Sequence, residues 1–385
     1  MAQIIIDDIL SVAVKTGASD IHLKAGNPPV FRLNGALVFS KDSPRLEADD
    51  LNQIAYQIMG PLQRERFEKY YEVDLSYGIP KLGRFRVNVY WQRGTISIAL
   101  RVVPHDIKTF SDLNLPPLLK EISQESRGFI LVTGITGSGK STTLAAMIDY
   151  INSTSARNII TIEDPIEYLH KDKKSIIAQR EVDVDTTSFA RALRVALRQD
   201  PDVILVGEMR DLETTEIALH AAETGHLVLS TLHTLDARET INRILAIFPP
   251  HQHNQVRYQL AQVLKAIISQ RLVLTVDEKG RVPAVEILLA TERVRELIAD
   301  PTRTKEIKTA IEEGQLYYGM QSFDQSLFEL YSKGLISYEE AMNQATAKAD
   351  LALRIKGITS GTDAKWGEFQ KKMKEGSLPN KVDRV

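Results

Sequence analysis

Residues Gly134 to Ser141 read GITGSGKS, which fits G-x-x-x-x-G-K-[ST] without exception. A phosphate group needs many hydrogen-bond donors at close range. Gly134, Gly137 and Gly139 let the backbone fold so that successive N–H groups converge on one point. Lys140 supplies a mobile positive charge for β- and γ-phosphates, and the Ser141 hydroxyl is a ligand for Mg²⁺. Thr136, Ser138 and Thr142 complete the residues expected at ATP. The apolar run FILVT precedes the stretch and STTLAAMIDYINS follows it. These read as a strand and a helix, and the helix start brings its positive end to the phosphates.

Three further stretches place polar residues just past an apolar run. TIEDPIEYLH, Thr161 to His170, crowds Glu163, Asp164, Glu167 and His170 around Pro165. Alone it reads as a solvated turn after a strand. Beside a phosphate loop it becomes a second wall of a nucleotide site, with Glu163 as the general base for the attacking water. Asp164 then holds the turn, and Glu167 and His170 serve the fold or a subunit contact. DVILVGEMRD, Asp202 to Asp211, ends a strand at Gly207-Glu208, one position later than the usual acid. Glu208 is expected to hold Mg²⁺, yet on the sequence alone either glutamate can take the water's proton. TGHLVLSTLHT, Thr224 to Thr234, sets Thr231 and His233 where a γ-phosphate sensor belongs, whereas His226 precedes its strand. In SFARALRVALRQD, Arg191, Arg194 and Arg198 line one helix face.

These residues need elements to position them. The chain has 385 residues, enough for two or three domains, and no cysteine, which excludes disulfides and thiolate metal sites. A net charge of -2 gives no case for nucleic acid. The N-terminus has no signal-peptide pattern, and no run is long enough to span a bilayer. Residues 1–103 read as a small α+β domain. It opens with a helix ending at Gly17, followed by strands around a turn at Asn34-Gly35. The hairpin GRFRVNVYWQRGTISIALRVVP follows. Phe85, Val87 and Val89 alternate with Arg84, Arg86 and Asn88. Past a turn at Arg93-Gly94, Ile96, Ile98 and Leu100 alternate with Ser97, Ala99 and Arg101. Pairing of the two strands would put Arg86 and Arg101 on one polar face. Residues 104–117 read as a linker. Residues 118–290 alternate strand-like and helix-like runs, predicting an α/β domain on a mainly parallel sheet. Residues 291–361 are helix-rich, and 362–385 read as a loose, lysine-rich tail.

In this order, GITGSGKS, TIEDPIEYLH, ILVGEMRD and HLVLSTLHT resemble the secretion ATPase superfamily, where they are the Walker A, Asp box, Walker B and His box. The chain is further similar to the PilT/PilU branch, the retraction ATPases of bacterial type IV pili. That closer match lies in ASDIHL, GRFRVNVYWQRG, QREV at 179–182, GEMRDLET, AAETGHLV, ISQRL at 268–272 and GMQSFDQ at 319–325. The resemblance implies a homohexameric ring of subunits, each with an N-terminal PAS-like domain and a C-terminal RecA-like P-loop domain, with ATP between them. It implies that Arg86 and Arg101 reach the γ-phosphate, and that hydrolysis turns the two domains about the linker. It implies cytoplasmic work at the inner-membrane base of the pilus, with a platform protein and a paralogous pilus ATPase as partners and only peripheral membrane association. An accessory retraction ATPase of the PilU kind and an assembly ATPase of pili or type II secretion are the alternatives. In RVRELIAD, Arg293 and Ala299 depart from the retraction branch's pattern, which bears on the choice between main and accessory motor.

Overall fold

The computed structural model describes residues 5–357 apart from 34, 42, 104 and 105. The expected tail at 362–385 and the start of the 104–117 linker lie outside the described residues, as does Asn34 of the expected turn. Packing divides the chain into two compact units. One comprises Met1–Ile107, Ile162–Asp172 and Gln179–Ala192. The other comprises Lys108–Thr161, Lys173–Ala178 and Leu193–Val385. Two short stretches from beyond the linker thus pack with the N-terminal unit.

The first unit is built on an antiparallel sheet. Its strands are β1 (Asp20–Lys24), β2 (Val30–Leu33), β3 (Ala36–Phe39), β4 (Glu72–Ile79), β5 (Gly83–Gln92) and β6 (Thr95–Val103), in the order β3-β2-β1-β6-β5-β4. The helix Ile6–Thr16 buries Ile6, Ile9, Leu10 and Ala13 and stops at Gly17, whose φ of 70° is left-handed. Strands β5 and β6 pair from Arg84↔Val103 to Gln92↔Thr95. Arg93 and Gly94 between them both have positive φ, 50° and 76°, as a two-residue primed turn requires. Phe85, Val87, Val89, Ile96, Ile98 and Leu100 are all buried in one core. Ser97 departs from the expected polar face. It is buried, lies between Lys24 of β1 and Tyr90 of β5, and its hydroxyl donates to Gln92 Oε1 at 3.3 Å.

The second sheet has β7 (Gly128–Thr133), β8 (Asn158–Glu163), β9 (Ile176–Glu181), β10 (Val203–Val206), β11 (Leu227–Leu232), β12 (Leu264–Leu274) and β13 (Arg281–Leu289), in the order β13-β12-β7-β11-β10-β8-β9. β12, β7, β11 and β10 run parallel to their neighbours in turn, and β13 returns antiparallel along β12. All residues of β7, β10 and β11 are buried, as expected of strands covered on both faces. The C-terminal helices pack on the β12–β13 edge. Phe323, Leu327 and Leu330 join Val273, Val282 and Ala284, and the Arg271 guanidinium lies 3.9 Å over the Phe323 ring.

Glu286 in β13 is a carboxylate inside this core, only 6% exposed. Its Oε1 accepts the Ala237 backbone N–H at 2.8 Å, at the start of the helix Ala237–Ile247. Burial, countered by that hydrogen bond and by Arg271 and Lys308 but reinforced by Asp236, pushes its pKa up from 4.5 to about 7. The folded chain therefore keeps a proton through the window from 4.5 to about 7, where the unfolded chain has released it. Stability falls as pH rises through that window. Glu286→Gln keeps an acceptor for Ala237 and removes the buried charge. It should stabilise the protein by roughly 1–3 kcal/mol at about pH 8, a Tm gain of about 2–8 °C that fades toward about pH 5. Melting curves across that range check it, and a Tm at or below the parent's at the alkaline end contradicts it.

Candidate nucleotide site

Three parallel neighbours, β7, β11 and β10, end side by side. The glycine loop follows β7, His233 follows β11 and Glu208 lies two residues past β10. Ligands of open α/β sheets bind beyond the carboxyl ends of the strands, so topology alone gathers these groups on the functional edge. Side-chain hydroxyls fasten the strand ends to each other. Ser230 Oγ donates to the Val206 carbonyl and Thr231 Oγ1 to the Gly207 carbonyl, both at 2.7 Å.

Within the loop, Gly134 has φ 143°, and a Cβ there would lie 2.4 Å from the Gln270 carbonyl and 2.5 Å from Ser138 Oγ. No side chain fits. Gly137 and Gly139 are also left-handed, at 79° and 93°. Gly139 then starts the helix Lys140–Thr154 with no side-chain cap, so the first amides of that helix keep their donors for a ligand. Thr136, Gly137 and Ser141 are exposed, Thr142 is half-buried, and Ser138 is buried with its Oγ against Gly134. A glycine-built cradle opening onto an uncapped helix start fits a polyphosphate.

Lys140 folds back over this cradle. Its Nζ donates to the Gly134 carbonyl at 2.8 Å and the Ile135 carbonyl at 3.1 Å, and lies 3.5 Å from His233 Nδ1. Burial lowers its pKa, and the charge of Glu208 opposes that. Glu208 in turn sits 3.3 Å from His233 Nε2 and 2.7 Å from Arg210 Nη2. Burial raises the Glu208 pKa, but the hydrogen bond and charge of Arg210, joined by His233, outweigh it and hold the carboxyl below its ordinary range. Lys140, Glu208 and His233 thus form one polar cluster. Its loop is backed by two residues whose role the sequence reading missed. Gln270 of β12 is 2% exposed and donates from Nε2 to Thr143 Oγ1 at 2.9 Å. Ser269 beside it accepts from Thr133 Oγ1 at 2.9 Å. The signal available was the motif ISQRL, without a physical reading.

Of the remaining expected residues, Arg86, Arg101 and Glu163 belong to the first unit. Arg86 and Arg101 are direct cross-strand partners on the exposed face of β5 and β6. Arg101 Nε donates to Asp20 Oδ1 at 2.8 Å. Burial raises the Asp20 pKa, and the hydrogen bonds and charges of Arg101, Ser19 and Arg32 bring it below the usual value. Glu163 closes β8 and is 8% exposed. Its Oε1 accepts from Gln179 Nε2 at 3.1 Å, and its Oε2 lies 3.4 Å from the Glu167 backbone N. His226 lies at the start of β11, where its Nδ1 is 2.9 Å from the Ala221 carbonyl at the end of the preceding helix. That is the opposite end of the strand from His233, and its contacts are those of a structural cap. Of the helix arginines, Arg194 pairs with Glu213.

A family model described as "Type II/IV secretion system protein" matches residues 1–360. The "Type IV pilus retractation ATPase PilT" of Pseudomonas aeruginosa is 46% identical over 340 residues, covering 88% of this chain and 98% of that protein. The "Type IV pilus ATPase PilU" of the same organism is 41% identical over 358 residues, covering 93% of each. Among solved structures, the pilus retraction motor PilT with bound ADP superposes with a TM-score of 0.82 at 50% identity, covering 91% of this chain and 99% of that one. The glycine cradle, the acid and histidine at adjacent strand ends, and likeness along nearly the whole length agree: the chain belongs to the Type II/IV secretion system protein family.

Proposed function

We propose that this protein is an ATP-hydrolysing motor that powers type IV pilus retraction. The observation that carries the reading is the cluster of Lys140, Glu208 and His233 around a glycine cradle at three adjacent strand ends. Near full-length similarity to PilT directs the hydrolysis toward pili rather than toward nucleic acid. Gly134, Thr136, Gly137, Ser138, Gly139, Lys140, Ser141 and Thr142 hold ATP, and Ser141 and Glu208 hold Mg²⁺. When bound, the metal neutralises charge on the β- and γ-phosphates. Glu163 accepts the proton of the attacking water, and His233, Arg86 and Arg101 meet the γ-phosphate. Paired arginines suit that work because their charge is permanent and their donors are forked. The subunits are PAS-like and RecA-like in fold and assemble as a homohexamer. It works in the cytoplasm at the inner-membrane base of the pilus, against a platform protein.

The division between the two acids has a chemical basis. Arg210 and His233 hold Glu208 below the ordinary carboxylate range, which makes it a weak base and a durable anion for a metal. PilU-like accessory action is the second reading, favoured by a relative of that name that covers 93% of both chains. A deletion strain separates either retraction reading from an assembly ATPase. Loss of a main motor leaves cells piliated and unable to twitch, and the Glu163→Gln chain should not restore movement. Bald cells would point to an assembly ATPase instead.

Two measurements test the chemistry. Lys140→Ala should lower turnover by at least about 100-fold, since it removes a cation from the phosphoryl group. Parental turnover would sink the enzyme reading. Glu163→Gln and Glu208→Gln should both lose hydrolysis by a similar factor. Only Glu208→Gln should also weaken Mg²⁺-dependent nucleotide binding, and the reverse pattern would exchange the two roles.

A further inference from the structure

The stretch QREV is left without work by the proposed chemistry, and its first side chain, Gln179, reaches Glu163. Gln179 uses every polar atom of its amide. Nε2 donates to Glu163 Oε1 at 3.1 Å and to the Tyr168 carbonyl at 2.9 Å, while Oε1 accepts the His170 backbone N–H at 2.8 Å. The orientation of an amide is assigned from its network, and here the network allows one answer. A flipped amide would set its oxygen against a carboxylate and a carbonyl, and its NH₂ against an N–H. Gln179 therefore presents a donor to Glu163.

Two residues along the same face of β9, Glu181 anchors the strand. It is 3% exposed, and both its oxygens are taken. Ser76 Oγ of β4 donates to Oε1 at 2.5 Å, and Arg84 Nη2 of β5 donates to Oε2 at 2.9 Å. The Ile166 backbone N–H adds a third donor at 3.0 Å. The loop from Asp164 to His170 is thus pinned by Glu181 at one end and by Gln179 at the other, with Glu163 at its root.

We propose that Gln179 is a positioning residue for hydrolysis, whose side-chain amide aims the Glu163 carboxylate on a strand that Glu181 locks to β4 and β5. The inference rests on the reading of Glu163 as the base. An N–H donor favours the charged form of the carboxylate it meets, so Gln179 also keeps the base available at lower pH. A glutamine that held the loop without bonding the base would have no such effect.

The test compares Gln179→Leu and the near-isosteric Gln179→Glu with the parent chain, using Mg-ATP. Both variants should lose kcat by roughly 100-fold, with ATP affinity changed by less than about twofold. The acid limb of the kcat profile should move up by about one pH unit. Gln179→Leu placed on Glu163→Gln should add no further loss. An unmoved acid limb in both variants overturns the proposal, whether or not kcat falls. So does a loss of ATP affinity matching the loss of kcat. Glu163→Gln distinguishes the level of failure. If it turns over at the parental rate, the base assignment fails and this inference with it. If it is inactive while Gln179→Leu behaves as the parent, only the role of Gln179 fails.

Discussion

The approach of the Gln270 carbonyl to Gly134 is the constraint on which the site depends. With only 2.4 Å between that oxygen and any Cβ, the chain must turn at Gly134 with a φ that L side chains avoid. The turn is what brings the loop back over the end of β7 and starts a helix with its amides uncapped. β12 supplies the carbonyl because it runs parallel beside β7, and the Gln270 side chain reaches forward to Thr143 on the first turn of the helix. One residue therefore presses on the loop's first glycine and ties down the helix that follows. The chemistry of Lys140 rests on this clamp, since its ammonium is held by carbonyls of the same loop.

Buried carboxylates recur in this chain, and each is satisfied differently. Glu286 meets one backbone N–H at a helix start, and burial still keeps it protonated toward neutrality. Glu181 has a hydroxyl, a guanidinium and a backbone N–H on its two oxygens. An unpaired charge there would cost several kcal/mol, which makes such a residue a strong tether wherever its partners are intact. Here the tether joins β9 to the β4–β5 pair. It accounts for the way Gln179–Ala192 packs within the N-terminal unit.

Much of this was legible in the sequence because it follows local rules. The phosphate loop announces itself by glycine spacing, and alternation puts Arg86 and Arg101 on one polar face of a hairpin, where the pairing makes them direct partners. The turn at Arg93-Gly94 could be read from residue type. Other features could not, for a common reason. Gln270 and Thr143 are 127 positions apart, and Glu181 and Ser76 are 105 apart, so their hydrogen bonds leave no period in the chain. Ser97 defeats alternation because neighbouring strands cover it and Gln92 satisfies it. The edge strand β13 is the one departure from the expected mainly parallel order among these pairings, since its antiparallel return along β12 needs no helix between them. Even GMQSFDQ, read as a family signature, has a local cause. Ser322 and Gln325 cap each other's backbone at the start of the helix Phe323–Ser332.

The two glutamates of TIEDPIEYLH and ILVGEMRD end at similar places in their strands and acquire different chemistry from their neighbours. Glu208 is flanked by Arg210 and His233, groups that favour its charged form and weaken it as a base. Together they hold its carboxyl below the ordinary range against the opposing effect of burial. The partners of Glu163 include a side-chain amide and a backbone N–H. Neutral donors fix the direction of a carboxylate while taking less from its basicity than a cation would. The two acids are thus told apart by named partners, Arg210 and His233 at one and Gln179 at the other. Asp, Glu and His counts past a strand cannot express that difference, and the amide of Gln179 can.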